Sequence, residues 1–160
     1  MGLKLVLMRH GKPASLGDVK ADLRPLSEEG QRTTTKMISL LMTESSLKPS
    51  HIFSSPLVRA QQTAGIISNF SDIEYQIEEA LGNNFDGNTI LSEITAKKYN
   101  DVVFMIGHAP YLMLFAEKLV GQSLPMEGIS KSGAILIEFD KHISYGQGTF
   151  IKYYDPNELL

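Results

Sequence analysis

The sequence predicts an α/β domain with a mostly parallel sheet covered by helices on both faces. Three observations carry this. Short apolar runs alternate with helix-patterned stretches along the whole chain. Polar turn residues directly follow three of those runs. The composition, 42% hydrophobic and 21% charged over 160 residues, is that of one ordinary globular domain spanning residues 1–160.

The first run, Leu3–Met8, is apolar and bounded by Arg9-His10-Gly11, so it reads as a buried strand closed by a tight turn. Residues 12–26 contain Pro13, Gly17 and Pro25 and read as a loop. Ser27 has the character of a helix N-cap, with Glu28 and Glu29 in the first turn, and the helix should reach about Glu44. His51–Ser54 is a short strand. Pro56 can begin the next helix, which carries Ala60, Ala64 and Ile67 on one face. Ile73–Ile77 alternates like a half-buried strand, residues 82–87 form a loop and residues 88–98 a helix. Val102–Ile106 is continuously apolar and reads as a central strand. Gly107-His108 turns the chain, and Pro110 starts a helix to about Leu119. Ala134–Phe139 and Thr149–Tyr153 complete the sheet, the second at an edge.

Several classes of function are excluded. With no cysteine, disulfide scaffolds, thiolate zinc sites and cysteine nucleophiles are ruled out. A formal charge of -3 argues against nucleic acid as a partner. No apolar run reaches the roughly 18 residues of a membrane span, and Lys4 interrupts the N-terminal run, so no membrane is expected and the expected location is the cytoplasm.

In a parallel sheet the carboxyl ends of the strands lie on one side, and sites form in the crevice beyond them. The first strand delivers Arg9 and His10 there, the second leads through Ser54-Ser55-Pro56 to Arg59, and the fourth delivers His108. Two arginines and two histidines suit a dianion such as phosphate, whose oxygens match the guanidinium fork. Only Arg9, Arg24, Arg32 and Arg59 are arginines among fifteen basic residues. Lysine therefore serves the solvated surface, and an arginine after a buried strand has a separate reason. A single histidine at a strand end is more often structural, but three strand ends carrying these residue types together is not a chance pattern. A metal site is disfavoured, because the four histidines show no paired spacing and no acidic cluster accompanies His10 or His108. No cysteine can attack phosphorus, and no aspartate ends the first strand, which leaves His10 as nucleophile. Arg9, Arg59 and His108 would stabilise the equatorial oxygens, and water would release inorganic phosphate.

LVLMRHG at Leu5–Gly11, SSPLVRAQQTA at Ser54–Ala64 and MIGHAP at Met105–Pro110 resemble the histidine phosphatase superfamily, also called phosphoglycerate mutase-like. RPLSEEG at Arg24–Gly30 is similar to a stretch of its small, SixA-type phosphohistidine phosphatases. The resemblance implies a three-layer α/β/α sandwich, a covalent phosphohistidine intermediate on His10, a phosphate pocket of Arg9, His10, Arg59 and His108, and no metal or cofactor. It also implies a phosphohistidine-bearing partner protein of the phosphorelay type. Many relatives place an acidic Glu after the third strand as L-x-E, whereas this chain reads Leu81-Gly82-Asn83. Glu79 and Asp86 could substitute as acid, in which case a small-molecule phosphomonoesterase is the alternative. A phosphoramidate needs the acid less. A mutase, and a catalytically idle phosphate-binding module, are the weaker rivals. Specificity is expected in the loops at 12–24, 78–87 and 121–132.

Overall fold

The computed structural model describes residues 2–15, 17, 19–97 and 101–160. Six strands form one sheet: β1 Leu3–Arg9, β2 His51–Ser54, β3 Tyr75–Ile77, β4 Val102–Gly107, β5 Ala134–Phe139 and β6 Thr149–Tyr154. Their order is β3-β2-β4-β1-β5-β6. The first four in that order are parallel, whereas β5 runs antiparallel to β1 and β6 antiparallel to β5. The helices are α1 Glu28–Ser39, α2 Val58–Ser71, α3 Gly87–Lys97, α4 Tyr111–Val120 and a short α5 Pro156–Leu159. The architecture is the three-layer α/β/α sandwich of the phosphoglycerate mutase-like type.

Strand alternation builds the layers. On β1, Leu3, Leu5 and Leu7 face one core with Ile90 of α3 and Leu112, Phe115 and Leu119 of α4. Val6 and Met8 face the other core with Met37 and Ile38 of α1 and Ala60, Ala64 and Ile67 of α2. Since both faces are covered, the strand reads as a continuous apolar run rather than as an alternation.

The ends of the elements refine the expectations. Ser27 caps α1 as expected, its Oγ accepting from the Gly30 N–H at 2.9 Å. The regular helix stops at Ser39, and Leu40–Glu44 continues as a wider π turn. A Cβ on Gly30 would lie 2.2 Å from the Lys12 carbonyl oxygen, so only glycine lets the loop after β1 lie on α1. Pro56 does not begin α2. The helix starts at Val58, because the Ser55 hydroxyl accepts the Leu57 N–H at 3.2 Å and holds residues 55–57 in a turn. The third strand is shorter than expected, Tyr75–Ile77, since Ile73 turns its carbonyl to the Ser68 hydroxyl. Residue 98, the expected end of the third helix, lies outside the described residues. Turns of 3-10 helix at Ala21–Leu23 and Glu79–Leu81, and α5, carried no clear periodic signal. Among the described residues no helix is long and apolar enough to cross a membrane.

Candidate active site

β1 and β4 are neighbours in the sheet, with Arg9 in register with Gly107. This register brings His10 and His108, each one residue further on, to the same sheet end. Their ring centroids are 5.0 Å apart. β2 lies on the other side of β4 and leads through Ser55 into α2, so Arg59 reaches the same place from the first turn of that helix. Its Nε donates to His10 Nε2 at 3.3 Å. The structure thus brings together the four residues expected from three separate strand ends.

His10 is 5% exposed. Its Nδ1 lies 2.7 Å from the Gly11 carbonyl oxygen, which can only accept, so Nδ1 carries the hydrogen. Nε2 then carries the lone pair, consistent with its accepting from Arg59. Burial pushes the His10 pKa down to about 3; the Gly11 hydrogen bond opposes this, and the charges of His108, Arg59 and Arg9 add to the fall. His108 is pushed down to about 4, again first by burial and then by Arg59 and Arg9, with Asp22 opposing. Its Nε2 shares a 2.7 Å hydrogen bond with the Ser55 hydroxyl.

Arg9 donates from Nη1 to the Ile129 carbonyl at 2.9 Å, while its buried Nε makes no hydrogen bond. An unspent guanidinium donor near a second guanidinium is suited to an anion, which would satisfy the donor and offset both charges. Arg59 donates from Nη1 to the Ala21 carbonyl at 2.7 Å, which draws the Ala21–Leu23 turn over the site. Among the described residues no group of three or more His, Asp and Glu could hold a metal ion.

The two carboxylates considered as acids are placed differently. Asp86 is the N-terminal cap of α3. Its Oδ1 accepts from the N–H groups of Asn88 and Thr89, and its Oδ2 from the Thr89 hydroxyl. These bonds hold its pKa below the usual carboxylate value. Glu79 is exposed and lines, with Asp22, Asn83 and Asp86, an open hollow of about 560 Å³ beside the start of α2. Asn83 donates from Nδ2 to Asp22 Oδ2 at 2.9 Å.

Two groups escaped sequence reasoning. Asp22 lies in a loop with no periodicity to place it. Glu78, buried at the end of β3, accepts from the Ala80 N–H at 3.0 Å, and burial and then neighbouring Glu93 raise its pKa to about 7.

With this geometry in view, comparison with known proteins decides the family. The model of the histidine phosphatase superfamily, branch 1, matches residues 5–88, just over half of the chain. The chain belongs to that superfamily. The match takes in Arg9, His10 and Arg59, and His108 lies beyond it. As a member of this superfamily the protein is a histidine-based phosphatase. No curated protein matches the sequence. Solved structures match in fold. One is the protein histidine phosphatase SixA complexed with tungstate, at 22% identity, covering 99% of this chain and 100% of that one, with a TM-score of 0.85. A candidate phosphohistidine phosphatase SixA from Agrobacterium tumefaciens matches at 23% identity, over 96% and 99% of the two chains, with a TM-score of 0.78. A phosphoserine phosphatase from Entamoeba histolytica in complex with 3-phosphoglyceric acid matches at 17% identity, over 98% and 99%, with a TM-score of 0.70. At these identities the likeness is one of fold.

Proposed function

We propose that this histidine phosphatase removes the phosphoryl group from phosphohistidine on a partner protein, through a covalent intermediate on His10. The observation that carries the mechanism is the fixed, neutral His10 ring, with Nδ1 tied to the Gly11 carbonyl at 2.7 Å and the Nε2 lone pair beside Arg59. Nε2 attacks phosphorus in line, and the departing ring, protonated on its other nitrogen, takes the electron pair of the broken P–N bond and leaves as neutral imidazole. Arg9, Arg59 and His108 balance the charge on the three equatorial oxygens. Since Nδ1 keeps its hydrogen, phosphorylated His10 is a phosphoimidazolium. Its own P–N bond then breaks readily, with the electron pair returning to a neutral ring. Water completes the cycle and inorganic phosphate leaves.

The substrate class rests on the acid and on access. Position 83 is an amide, and the Asp86 carboxylate is committed to the cap of α3. Neither position 83 nor Asp86 is thereby free to protonate an alkoxide, whose departure gains roughly 10²–10⁴-fold from such help. Between β3 and α3 there is one 3-10 turn and a short loop, too little to form a lid over a small metabolite. The tungstate-bound SixA of the same fold is, by its name, a protein histidine phosphatase.

The test compares kcat/KM for a phosphohistidine protein with that for an alkyl phosphate monoester. The phosphohistidine protein should be preferred, and acid-labile, base-stable label should be trapped on the wild type but not on His10→Ala. Preference for the alkyl ester would favour the small-molecule reading. Near-normal turnover by His10→Ala would overturn the mechanism.

A further inference from the structure

We propose that Asp22 is the general base of the second half-reaction, activating the water that hydrolyses phospho-His10, and that Asn83 holds it in place. This rests on the reading of His10 as nucleophile. Three features of the structure place Asp22. Its neighbour Ala21 accepts a hydrogen bond from Arg59 Nη1 at 2.7 Å, and the Nε of that guanidinium contacts His10. The turn bearing Asp22 is therefore fastened to the phosphate pocket through a pocket residue. Asn83 Nδ2 donates to Asp22 Oδ2 at 2.9 Å, which fixes the carboxylate and leaves Oδ1 outside that bond. Asp22 also lines the open hollow beside the start of α2.

Its competitors in that hollow are less well placed. Asp86 has both oxygens engaged in the α3 cap. Glu79 is exposed, as Asp22 is, but it lies outside the turn that Arg59 holds and no hydrogen bond from Asn83 fixes its carboxylate. Of the three carboxylates, Asp22 is the one whose charge acts on both Arg59 and His108. Asn83 reaches Asp22 from the loop after β3, and its amide serves as the clamp of the carboxylate.

The step balances. Water oxygen forms a bond to phosphorus as the P–Nε2 bond breaks. The electron pair of that bond returns to Nε2, and His10 becomes neutral with its Nδ1 hydrogen kept. One water proton passes to Asp22 and then to solvent, and inorganic phosphate is released. A carboxylate in this role is a base, which the first half-reaction on phosphohistidine does not require.

The experiment is rapid-quench single turnover with a labelled phosphohistidine protein, using wild type, Asp22→Asn, Asp22→Glu and Asn83→Ala. Asp22→Asn should form labelled His10 at the wild-type rate and lose the label roughly 10²–10⁴-fold more slowly, so that phosphoenzyme accumulates. The pH dependence of label loss should flatten. Asp22→Glu should restore part of the rate, and Asn83→Ala should fall between. Loss of label from Asp22→Asn at the wild-type rate overturns the proposal and leaves the nucleophile intact. Equal slowing of formation and loss also overturns it, because that marks a general effect on the pocket. If no protein forms labelled His10, the reading of His10 as nucleophile fails, and the proposal falls with it.

Discussion

The backbone N–H of Gly11 donates to the Thr63 hydroxyl at 3.0 Å, and that hydroxyl donates onward to the Arg59 carbonyl at 2.8 Å. One buried side chain thereby locks the turn that carries His10 to the helix that carries Arg59. Thr63→Val keeps the shape and removes both bonds, leaving the Gly11 N–H buried without a partner. A loss of about 1–3 kcal/mol in stability is expected. The rate of His10 phosphorylation should fall more than substrate affinity, while Thr63→Ser should retain both. Chemical denaturation and pre-steady-state kinetics measure the two effects. A stable and fully active Thr63→Val would show that the link is idle.

Arg59 divides its guanidinium between His10 and the Ala21 carbonyl. Lysine keeps the charge but cannot serve both directions and a phosphate oxygen at once. Arg59→Lys should lower kcat/KM by roughly 10- to 10²-fold, as expected for one charge-assisted hydrogen bond of about 1.5–3 kcal/mol. Competitive inhibition by inorganic phosphate should weaken in parallel. If activity and inhibition both stay within a factor of two, Arg59 does not bind phosphate through its fork.

The depressed histidines give stability a defined pH dependence. In the fold His10 takes a proton only near pH 3 and His108 near pH 4, against an ordinary value of 6.5. As the pH falls below 6.5 the unfolded chain binds protons that the folded chain does not. The stabilisation present above that value is therefore lost progressively toward those lower limits. Each histidine contributes a slope of about 1.4 kcal/mol per pH unit. Glu78 acts in the opposite direction. Its pKa, raised from 4.5 to about 7, gives stability that is full below 4.5 and is lost as the pH rises through about 7. Between pH 4.5 and 6.5 the histidines outweigh it, so stability should rise with pH. Glu78→Gln should roughly double that slope. Urea midpoints at several pH values decide it, and a flat profile in both proteins would refute the assignment.

Asp86 distinguishes a cap from an acid. Asp86→Ala should cost about 1 kcal/mol of stability, and Asp86→Asn far less because Asn also caps well. Neither should change turnover of a phosphohistidine protein by more than a factor of about two, since the step it could assist needs no acid. Thermal unfolding and steady-state kinetics measure both. Selective loss of alkyl ester hydrolysis in Asp86→Asn would return this residue to the chemistry.

The sequence showed the chemistry of the strand ends more clearly than that of the loops. Arg9, His10 and His108 follow apolar runs whose direction is fixed by burial, so their meeting could be inferred from order alone. Arg59 stood out because lysine serves eleven of the fifteen basic positions. Asp22 stayed hidden, because its placement depends on Arg59, which holds the neighbouring Ala21 carbonyl, and on Asn83, both distant in sequence. Asp86 was legible in a different sense. Asp followed by Gly-Asn-Thr at a helix start is a capping pattern, and the cap bonds are formed. The displaced start of α2 has the same cause, since one Ser55 hydroxyl redirects residues that Pro56 alone would have sent into a helix.

The strand order has a consequence for biosynthesis. β4 lies between β1 and β2, although it is made after both. A ribosome-bound chain that has not yet extended past residue 107 owns His10 and Arg59 but lacks the strand that sets them side by side. Long-range pairings of this kind form late and slowly. Catalysis should therefore switch on abruptly once the fourth strand is inserted, and prematurely terminated products should be inert toward the phosphoproteins around them.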